Sequence, residues 1–183
     1  MQGRDLIEVA YDEVTRMSKL TRQLLDFYRT SFVPEEMKPV ELNGLLQEVV
    51  QSFGDQLSKS RIDMKLHLRQ NLPVVKGSTD KLKQVFLNLI LNARDAMPDG
   101  GLIRIVTAEE NGLVRISISD SGVGIPKENL DKIFDAFFTT KSSVSGVGLG
   151  LSVTYGIVSQ HRGTISVTSA TGEGSTFVVS LPV

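Results

Sequence analysis

The sequence of 183 residues contains no cysteine and only two histidines, His67 and His161. The absence of cysteine excludes disulfide bonds, cysteine-based metal sites and thiol catalysis, and two histidines argue against a histidine-rich metal site. No apolar run approaches the roughly 20 residues that a membrane-spanning helix requires, and the N-terminus has no signal-peptide pattern. The formal net charge of −1 provides no basic excess, so we expect neither a nucleic-acid partner nor membrane contact by this segment.

What is present is the composition of an ordinary globular domain, with 40% hydrophobic and 22% charged residues. Residues 1–29 predict one long amphipathic helix, because apolar residues recur at intervals of three to four. The apolar stripe of this helix has to pack either on the same domain or in an intermolecular helical bundle. Pro34 and Pro39 indicate a linker over residues 30–39. The linker favours packing of the helix in an intermolecular bundle over packing on its own domain. Residues 40–183 then form the compact domain.

The compact domain mixes helical and strand patterns. Helices are predicted over residues 43–59 (capped by Asn43), from Ser78 or Thr79 to about Met97, near residues 128–134, and over residues 149–160. Strands are predicted over residues 62–69, 74–77, 102–109, 113–120, 164–169 and 176–181, with hairpin turns at residues 111–112 and 172–174. Strands grouped with helices, without regular βαβ alternation, indicate an α+β fold in which helices cover one face of a mixed or antiparallel sheet.

The second of these helices carries Asn88 and Asn92, which lie one turn apart on one face. Asparagine is a poor residue for a helix interior, because its amide competes for backbone hydrogen bonds. The pair is either a solvated polar face or two amides directed at a bound polyanion and its metal ion. The glycine-rich segments further along the chain favour the second interpretation.

Two glycine-rich segments follow the asparagine helix. Asp120 ends a predicted strand, and Gly122 and Gly124 come directly after it, so a carboxylate able to accept from an exocyclic amine lies beside backbone that a flat ligand can approach. This pattern is also that of a common turn. Further on, Gly146, Gly148 and Gly150 open a helix and provide a phosphate site at its positive end, or simply a flexible loop. The glycine spacing matches neither a Walker P-loop nor a dinucleotide fingerprint.

Between the two glycine segments lies a run that begins at Phe134 and ends at Lys141. Its three phenylalanines have the composition of ordinary core. Lys141 is a cation on the predicted loop between the glycine segments, where an anionic ligand could reach it.

In their order along the chain, these four features resemble the N box, first glycine box, F box and second glycine box of the ATP-binding domain of sensor histidine kinases. The segment 172–177 is similar to the closing glycine motif of that family. The resemblance covers residues 40–183, and the run 137–141 looks most like the nitrogen-regulatory subgroup. Residues 1–29 resemble the second helix of the family's dimerisation and phosphoacceptor hairpin. The family implies a two-layer sandwich of the Bergerat type, with ATP and Mg²⁺ as its ligands.

The resemblance also implies roles for individual residues at the base and metal. Asp120 would accept a hydrogen bond from the adenine amino group, and Gly122 and Gly124 would admit the edge of the base. Asn92 would hold Mg²⁺ through its amide oxygen, and Asn88 would contact the phosphates or a metal-bound water. Ile125 would be an apolar wall for the base, and Thr176 would support adenine from the sheet.

At the phosphate end, the family implies a lid over residues 139–150. Lys141 and Asn88 would be the catalytic pair, because phosphoryl transfer depends on positioning and charge neutralisation. The other implied ATP contacts in and beside the lid are Thr139, Thr140, Gly146, Val147, Gly148, Leu149, Gly150 and Leu151. Many family members carry lysine where this chain has Asp95. This departure leaves Arg94 and Lys141 as the candidate phosphate cations. Arg94 and Asp95 are both among the expected ATP contacts.

Asn88 also separates two kinds of chemistry. In the related topoisomerase, chaperone and mismatch-repair ATPases the matching position is a glutamate that serves as general base for water, and an amide cannot do this. The sequence therefore favours transfer of the γ-phosphoryl group to an outside nucleophile. A hydrolytic ATPase and a nucleotide-dependent interaction module remain the alternatives.

The family's phosphoacceptor histidine lies on a first hairpin helix that has no counterpart here. Neither His67, expected on an exposed strand face, nor His161, expected as a structural residue at a helix end, has a matching context. We therefore expect a fragment that binds ATP and does not phosphorylate itself. The full-length protein is expected to form a homodimer through the N-terminal helix, to pass phosphate to a response regulator, and to place this segment in the cytoplasm.

Overall fold

The computed structural model describes residues 36–140 and 148–183, together with Tyr11, Val14, Met17 and Ser18, which are helical and exposed. The rest of the predicted N-terminal helix and most of the linker lie outside the described residues. Lys141, Gly146 and Val147 also lie outside them.

Three helices and seven strands form the described domain. The helices are α1 (Leu42–Lys59), α2 (Thr79–Asp95) and α3 (Gly150–Gln160). The strands are β1 (Lys38–Val40), β2 (Ile62–His67), β3 (Val75–Gly77), β4 (Gly101–Glu110), β5 (Leu113–Asp120), β6 (Thr164–Ala170) and β7 (Gly174–Pro182). None of the helices within the described part of the chain is long and apolar enough to cross a bilayer.

Five strands form one sheet in the order β2-β4-β5-β7-β6, and β1 and β3 form a separate antiparallel pair. Strands β2 and β4 are parallel, and the other neighbours in the large sheet are antiparallel. The helices pack on one face of this sheet, where one continuous core joins them to the inward-facing strand residues. The α+β prediction of a mixed sheet covered on one face by helices is therefore confirmed.

The core follows from the two periodicities of the sequence. Strand residues that point inward alternate with exposed ones along β4 and β5, as at Ile103, Ile105, Ile116 and Ile118, which are all buried. On α2 the buried stripe recurs at helical spacing, and its apolar members are Leu82, Val85, Phe86, Leu89, Ile90 and Ala93. The polar side of α2 is thereby turned away from the core.

Three local predictions differ from the structure. Helix α1 is capped by Glu41 rather than by Asn43, because the Glu41 carboxylate accepts from the backbone N–H groups of Asn43 and Gly44. Asn43 instead donates to Arg69 O and accepts from Thr107 Oγ1, so its amide ties α1 to the sheet. Strand β1 includes residues 38–39, which were assigned to the linker, and the helix expected near residues 128–134 is a single 3-10 turn at Lys127–Asn129.

Candidate functional site

A cavity of about 480 Å³ opens between α2, the start of α3, the end of β5 and the start of β7. It unites segments that are far apart in the sequence. The residues that were predicted as ligand contacts and that line it are Asn88, Asn92, Arg94, Asp95, Asp120, Gly124, Ile125, Thr139, Thr140, Gly148, Leu149, Gly150 and Leu151. The cavity is large enough for a ligand of nucleotide size.

Helix α2 brings both asparagines to the cavity wall. Its N-terminus is fixed by Ser78, whose hydroxyl accepts from Lys81 N at 3.3 Å. The Asn88 amide nitrogen donates to Gly150 O at 3.1 Å and lies 3.4 Å from Thr154 Oγ1. These contacts turn the Asn88 amide oxygen away from α3, and no described residue donates to that oxygen. The Asn92 side chain has no hydrogen bond within the described residues, so its amide is available to a ligand.

Asp120 lies on the cavity wall where β5 ends. Its Oδ1 atom accepts from Gly122 N at 2.9 Å and from Ser175 N at 3.3 Å. Burial raises the pKa of the Asp120 carboxyl above its ordinary value, and the two backbone hydrogen bonds act in the opposite direction. Within the described chain nothing donates to Oδ2, so the site holds a half-buried acceptor that a ligand could satisfy.

The two glycines after Asp120 have different roles. Gly124 lines the cavity at a φ of 70°, and a Cβ there would meet Ala170 O at 2.0 Å. Gly122 does not line the cavity, contrary to the expectation that it would admit the edge of a base. A Cβ at Gly122 would meet Ala96 O at 2.5 Å, because the loop packs directly on the C-terminal end of α2. Glycine is therefore required at position 122 for the packing of this loop on α2.

The F-box segment and the second glycine segment meet at one point of the cavity wall. Phe137 N donates to Gly148 O at 3.0 Å, and both residues have positive φ, 68° and 73°. A Cβ at Gly148 would lie 2.5 Å from the Phe137 carbonyl carbon, so glycine is the residue that this approach permits. Thr139 and Thr140 follow on the cavity wall, whereas Lys141, Gly146 and Val147 lie outside the described residues.

Thr176, expected beside the base, is not part of the cavity wall. In the register of β5 and β7, Ser175 is opposite Asp120, and Thr176 is opposite Ser119. Residues directly opposite each other point to the same face of the sheet, so Ser175 faces the cavity and Thr176 faces away. The Thr176 hydroxyl donates instead to Ser119 Oγ at 2.9 Å. The register therefore places Ser175, rather than the predicted Thr176, on the cavity face of β7.

Sequence reasoning missed nine residues of the cavity wall. They are Leu91, Ala96, Val123, Pro126, Asn129, Ile133, Phe138, Ser175 and Phe177. Most are apolar residues whose periodicity is that of ordinary core, so composition could not have separated them from it. The alternation of β7 could have indicated Ser175, since Ser175 and Phe177 lie on the same face of that strand.

The two histidines lie outside the cavity wall. His67 is exposed on β2. His161 is buried at the end of α3, where its Nδ1–H donates to Ile157 O at 2.7 Å and its Nε2 accepts from Ser78 N at 3.0 Å. It thus links the end of α3 to the N-cap of α2, a structural contact. Across the described residues no group of three or more His, Asp or Glu side chains is arranged to hold a metal ion.

The comparisons with known proteins agree with this geometry. Residues 77–183 match the family described as histidine kinase-, DNA gyrase B-, and HSP90-like ATPase. The chain is 37% identical over 182 residues to the sensor histidine kinase ZraS of Escherichia coli K12, covering 100% of this chain and 38% of ZraS. The catalytic domain of histidine kinase ThkA is 34% identical with a TM-score of 0.73, covering 81% of this chain and 96% of that domain. A structure of ThkA in complex with the response regulator protein TrrA matches with 29% identity and a TM-score of 0.77, covering 97% of this chain and 50% of that one.

The fold and the cavity define an ATP-binding α+β domain. The chain belongs to the histidine kinase-, DNA gyrase B-, and HSP90-like ATPase family, within its sensor histidine kinase branch. It spans 38% of the length of ZraS, so the activity and partners of a complete protein are matters of proposal.

Proposed function

We propose that this domain binds Mg-ATP in the cavity and transfers the γ-phosphoryl group to a histidine on a dimerisation helix. The observation that carries the proposal is the convergence of Asn88, Asn92, Asp120 and the start of α3 on one cavity. Each provides the chemistry that one part of the ligand needs, and they come from segments that only the fold brings together.

At the base end, Asp120 would accept from the adenine amino group. Its Oδ1 is already engaged by two backbone N–H groups, so Oδ2 is the atom for the ligand. Gly124 and Ile125 would lie along the base, and Ser175 takes the supporting position that Thr176 was expected to fill. A hydrogen bond from the ligand would compensate for the cost of burying the Asp120 carboxylate.

At the phosphate end, the asparagine amides would face the phosphates and Mg²⁺. Asn92 fits a metal ligand, because Mg²⁺ prefers oxygen donors and is commonly held by few protein groups together with substrate phosphates. Bound there, Mg²⁺ would neutralise phosphate charge. The Asn88 oxygen would contact a phosphate or a metal-bound water, while its nitrogen holds Gly150 O. The backbone at the start of α3 would offer N–H groups to the phosphates, beside Thr139 and Thr140 on the cavity wall. Lys141 stays an expected phosphate contact from the sequence.

The reaction would break the bond between the γ-phosphorus and the bridging oxygen and form a bond to an imidazole nitrogen of the acceptor histidine. ADP leaves, and the phosphohistidine would pass its phosphoryl group to an aspartate of a response regulator. Asn88 supports transfer over hydrolysis, since an amide cannot act as a general base for water. The solved complex of ThkA with TrrA supports a response regulator as the partner.

The decisive experiment supplies the acceptor separately. The chain is incubated with radiolabelled Mg-ATP and a polypeptide carrying the family's complete histidine hairpin, and the expected product is acid-labile phosphate on that polypeptide. The same polypeptide with its acceptor histidine replaced by glutamine is the control. Steady phosphate release that Asn88→Ala abolishes would instead favour the hydrolytic ATPase, and ATP binding with neither outcome would leave an interaction module.

We also propose that the N-terminal segment forms a homodimer in the full-length protein. Tyr11, Val14 and Met17 are large apolar residues at helical spacing with 72%, 66% and 64% exposure, as expected of a stripe that a partner helix covers. Sedimentation of the full-length protein should give a dimer, and a concentration-independent monomer would contradict the proposal.

Because ATP and the receiver partner are cytoplasmic in this form of signalling, we propose that the segment lies in the cytoplasm without membrane contact.

A further inference from the structure

The polar stripe of α2 contains a third residue besides the two asparagines. Asp95 follows Asn92 by three positions and Asn88 by seven, so all three lie on one face of the helix. All three line the cavity. The Asp95 carboxylate therefore lies on the helix face that we assign to the phosphates, where a cation would be expected.

Asp95 is bound by the neighbouring Arg94. Both Nε and Nη2 of Arg94 donate to Asp95 Oδ1, at 3.0 and 2.6 Å. The two side chains are 32% and 28% exposed, so the pair lies partly exposed on the cavity wall. A guanidinium has five N–H donors, and within the described chain no acceptor takes up the remaining three. The free edge of Arg94 can therefore serve a second anion.

Helix stability does not explain this pair. A carboxylate in the last turn of α2 opposes the helix dipole, and an ion pair between adjacent, partly exposed residues contributes little to folding. The dipole would favour Arg94 at this position without Asp95. A role in orienting the guanidinium would give the pair a function beyond folding.

We propose that Asp95 is a positioning residue. It holds the Arg94 guanidinium beside the polar stripe of α2, so that the free edge of the guanidinium faces the nucleotide phosphates. This inference rests on the proposed function, and it supplies the cation that the stripe itself lacks. A guanidinium held on one side by a carboxylate gives up less conformational freedom when a phosphate binds on the other side.

Charge repulsion alone predicts the opposite change in ATP affinity when Asp95 is removed. Removing a carboxylate beside a polyphosphate should tighten binding, because like charges repel. If positioning dominates, removing Asp95 should weaken binding although it removes a negative charge. The sign of one affinity change therefore separates the two accounts.

The test measures the affinities of ATP and adenosine by calorimetry in wild type, Asp95→Ala, Asp95→Glu and Arg94→Gln. Asp95→Ala should weaken ATP by roughly tenfold, the scale of a charge-assisted hydrogen bond, and leave adenosine unchanged. Asp95→Glu should recover most of the loss. In the Arg94→Gln background, Asp95→Ala should cause no further loss, because the carboxylate acts through Arg94.

Glu110→Ala is the matched control, since Glu110 pairs with Arg115 away from the cavity wall and its loss should leave both affinities unchanged. Tighter ATP binding by Asp95→Ala, or the same change in both backgrounds, would overturn the positioning role while leaving the proposed function intact. Failure of wild type to bind ATP would instead remove the proposed function itself.

Discussion

The side-chain nitrogen of Asn88 lies 3.1 Å from the carbonyl oxygen of Gly150. This hydrogen bond joins the middle of α2 to the first residue of α3, so one residue both faces the cavity and holds its walls together. Gly150 O also accepts from Thr154 Oγ1 at 2.9 Å, which completes a small polar cluster behind the site. Asn92, one turn further along α2, has no such bond among the described residues.

The two asparagines should therefore differ in their effects on stability. Asn88→Ala should lower the free energy of unfolding of the ligand-free protein by about 1 kcal/mol, the value of one hydrogen bond, as measured by urea denaturation. Asn92→Ala should leave it nearly unchanged. Both variants should lose Mg-ATP affinity, and Asn92→Ala should lose more with Mg²⁺ than without it. Equal losses with and without the metal would remove the metal role of Asn92.

Replacing Asp120 by asparagine should separate binding from stability. Asp120→Asn keeps an oxygen for Gly122 N and Ser175 N but loses the charged acceptor, so ATP affinity should fall by roughly 1.5–3 kcal/mol. Undiminished affinity in calorimetry would remove Asp120 from the site.

The same substitution has an expected pH signature. Because burial raises the pKa of Asp120 in the folded state, the folded protein binds this proton more tightly than the unfolded chain does. The contribution of Asp120 to stability is then fully present below its ordinary value of 3.8 and is lost as the pH rises through the folded pKa. Relative to Asp120→Asn, the ligand-free wild type should thus lose stability in urea titrations as the pH rises above the ordinary Asp120 pKa of 3.8, and a relative gain would contradict the shift.

Gly148 and Gly112 offer a matched pair for the junction of the F-box and glycine segments. Their φ values are 73° and 74°, but a Cβ at Gly148 would meet Phe137 and Phe138 backbone, whereas one at Gly112 would meet nothing within 4 Å. Gly112→Ala should cost only the strain of the left-handed backbone, about 1–2 kcal/mol. Gly148→Ala should cost more and should also weaken ATP. Similar melting temperatures and ATP affinities for the two variants would show that the junction does not matter.

The histidines provide a second matched pair. His161→Ala should destabilise the domain by roughly 1–3 kcal/mol, because it leaves the buried Ser78 N–H without its acceptor. His67→Ala should change little, since His67 is exposed. Neither variant should reduce phosphotransfer to a supplied hairpin at saturating ATP and a temperature where both are folded. A selective loss of transfer in His161→Ala would assign it a role beyond structure.

Ser175 and Thr176 test the register of the sheet. Ser175→Ala should weaken ATP several-fold, whereas Thr176→Val should leave affinity unchanged, because only Ser175 shares the face of Asp120. The reverse result in calorimetry would restore the role first expected of Thr176.

Much of the fold could be predicted because it follows from local patterns. The hairpin at Asn111 and Gly112, the strand ending at Asp120 and the cap at Ser78 all depend on residues within a few positions of each other. The capping of α1 could not be predicted in the same way. Asn43 is an ordinary cap residue, but a distant hydrogen-bond network at Arg69 and Thr107 occupies its amide.

The sequence by itself determined the family resemblance and most of the cavity, because motif order and the spacing of Asn88 and Asn92 are properties of the chain alone. Only the tertiary structure decided which neighbour of a pair faces the cavity. Pairing of β5 with β7 selects Ser175 over Thr176, and packing of a loop on α2 gives Gly122 a structural role. These choices depend on the register and packing of segments far apart in sequence, to which no local pattern is sensitive.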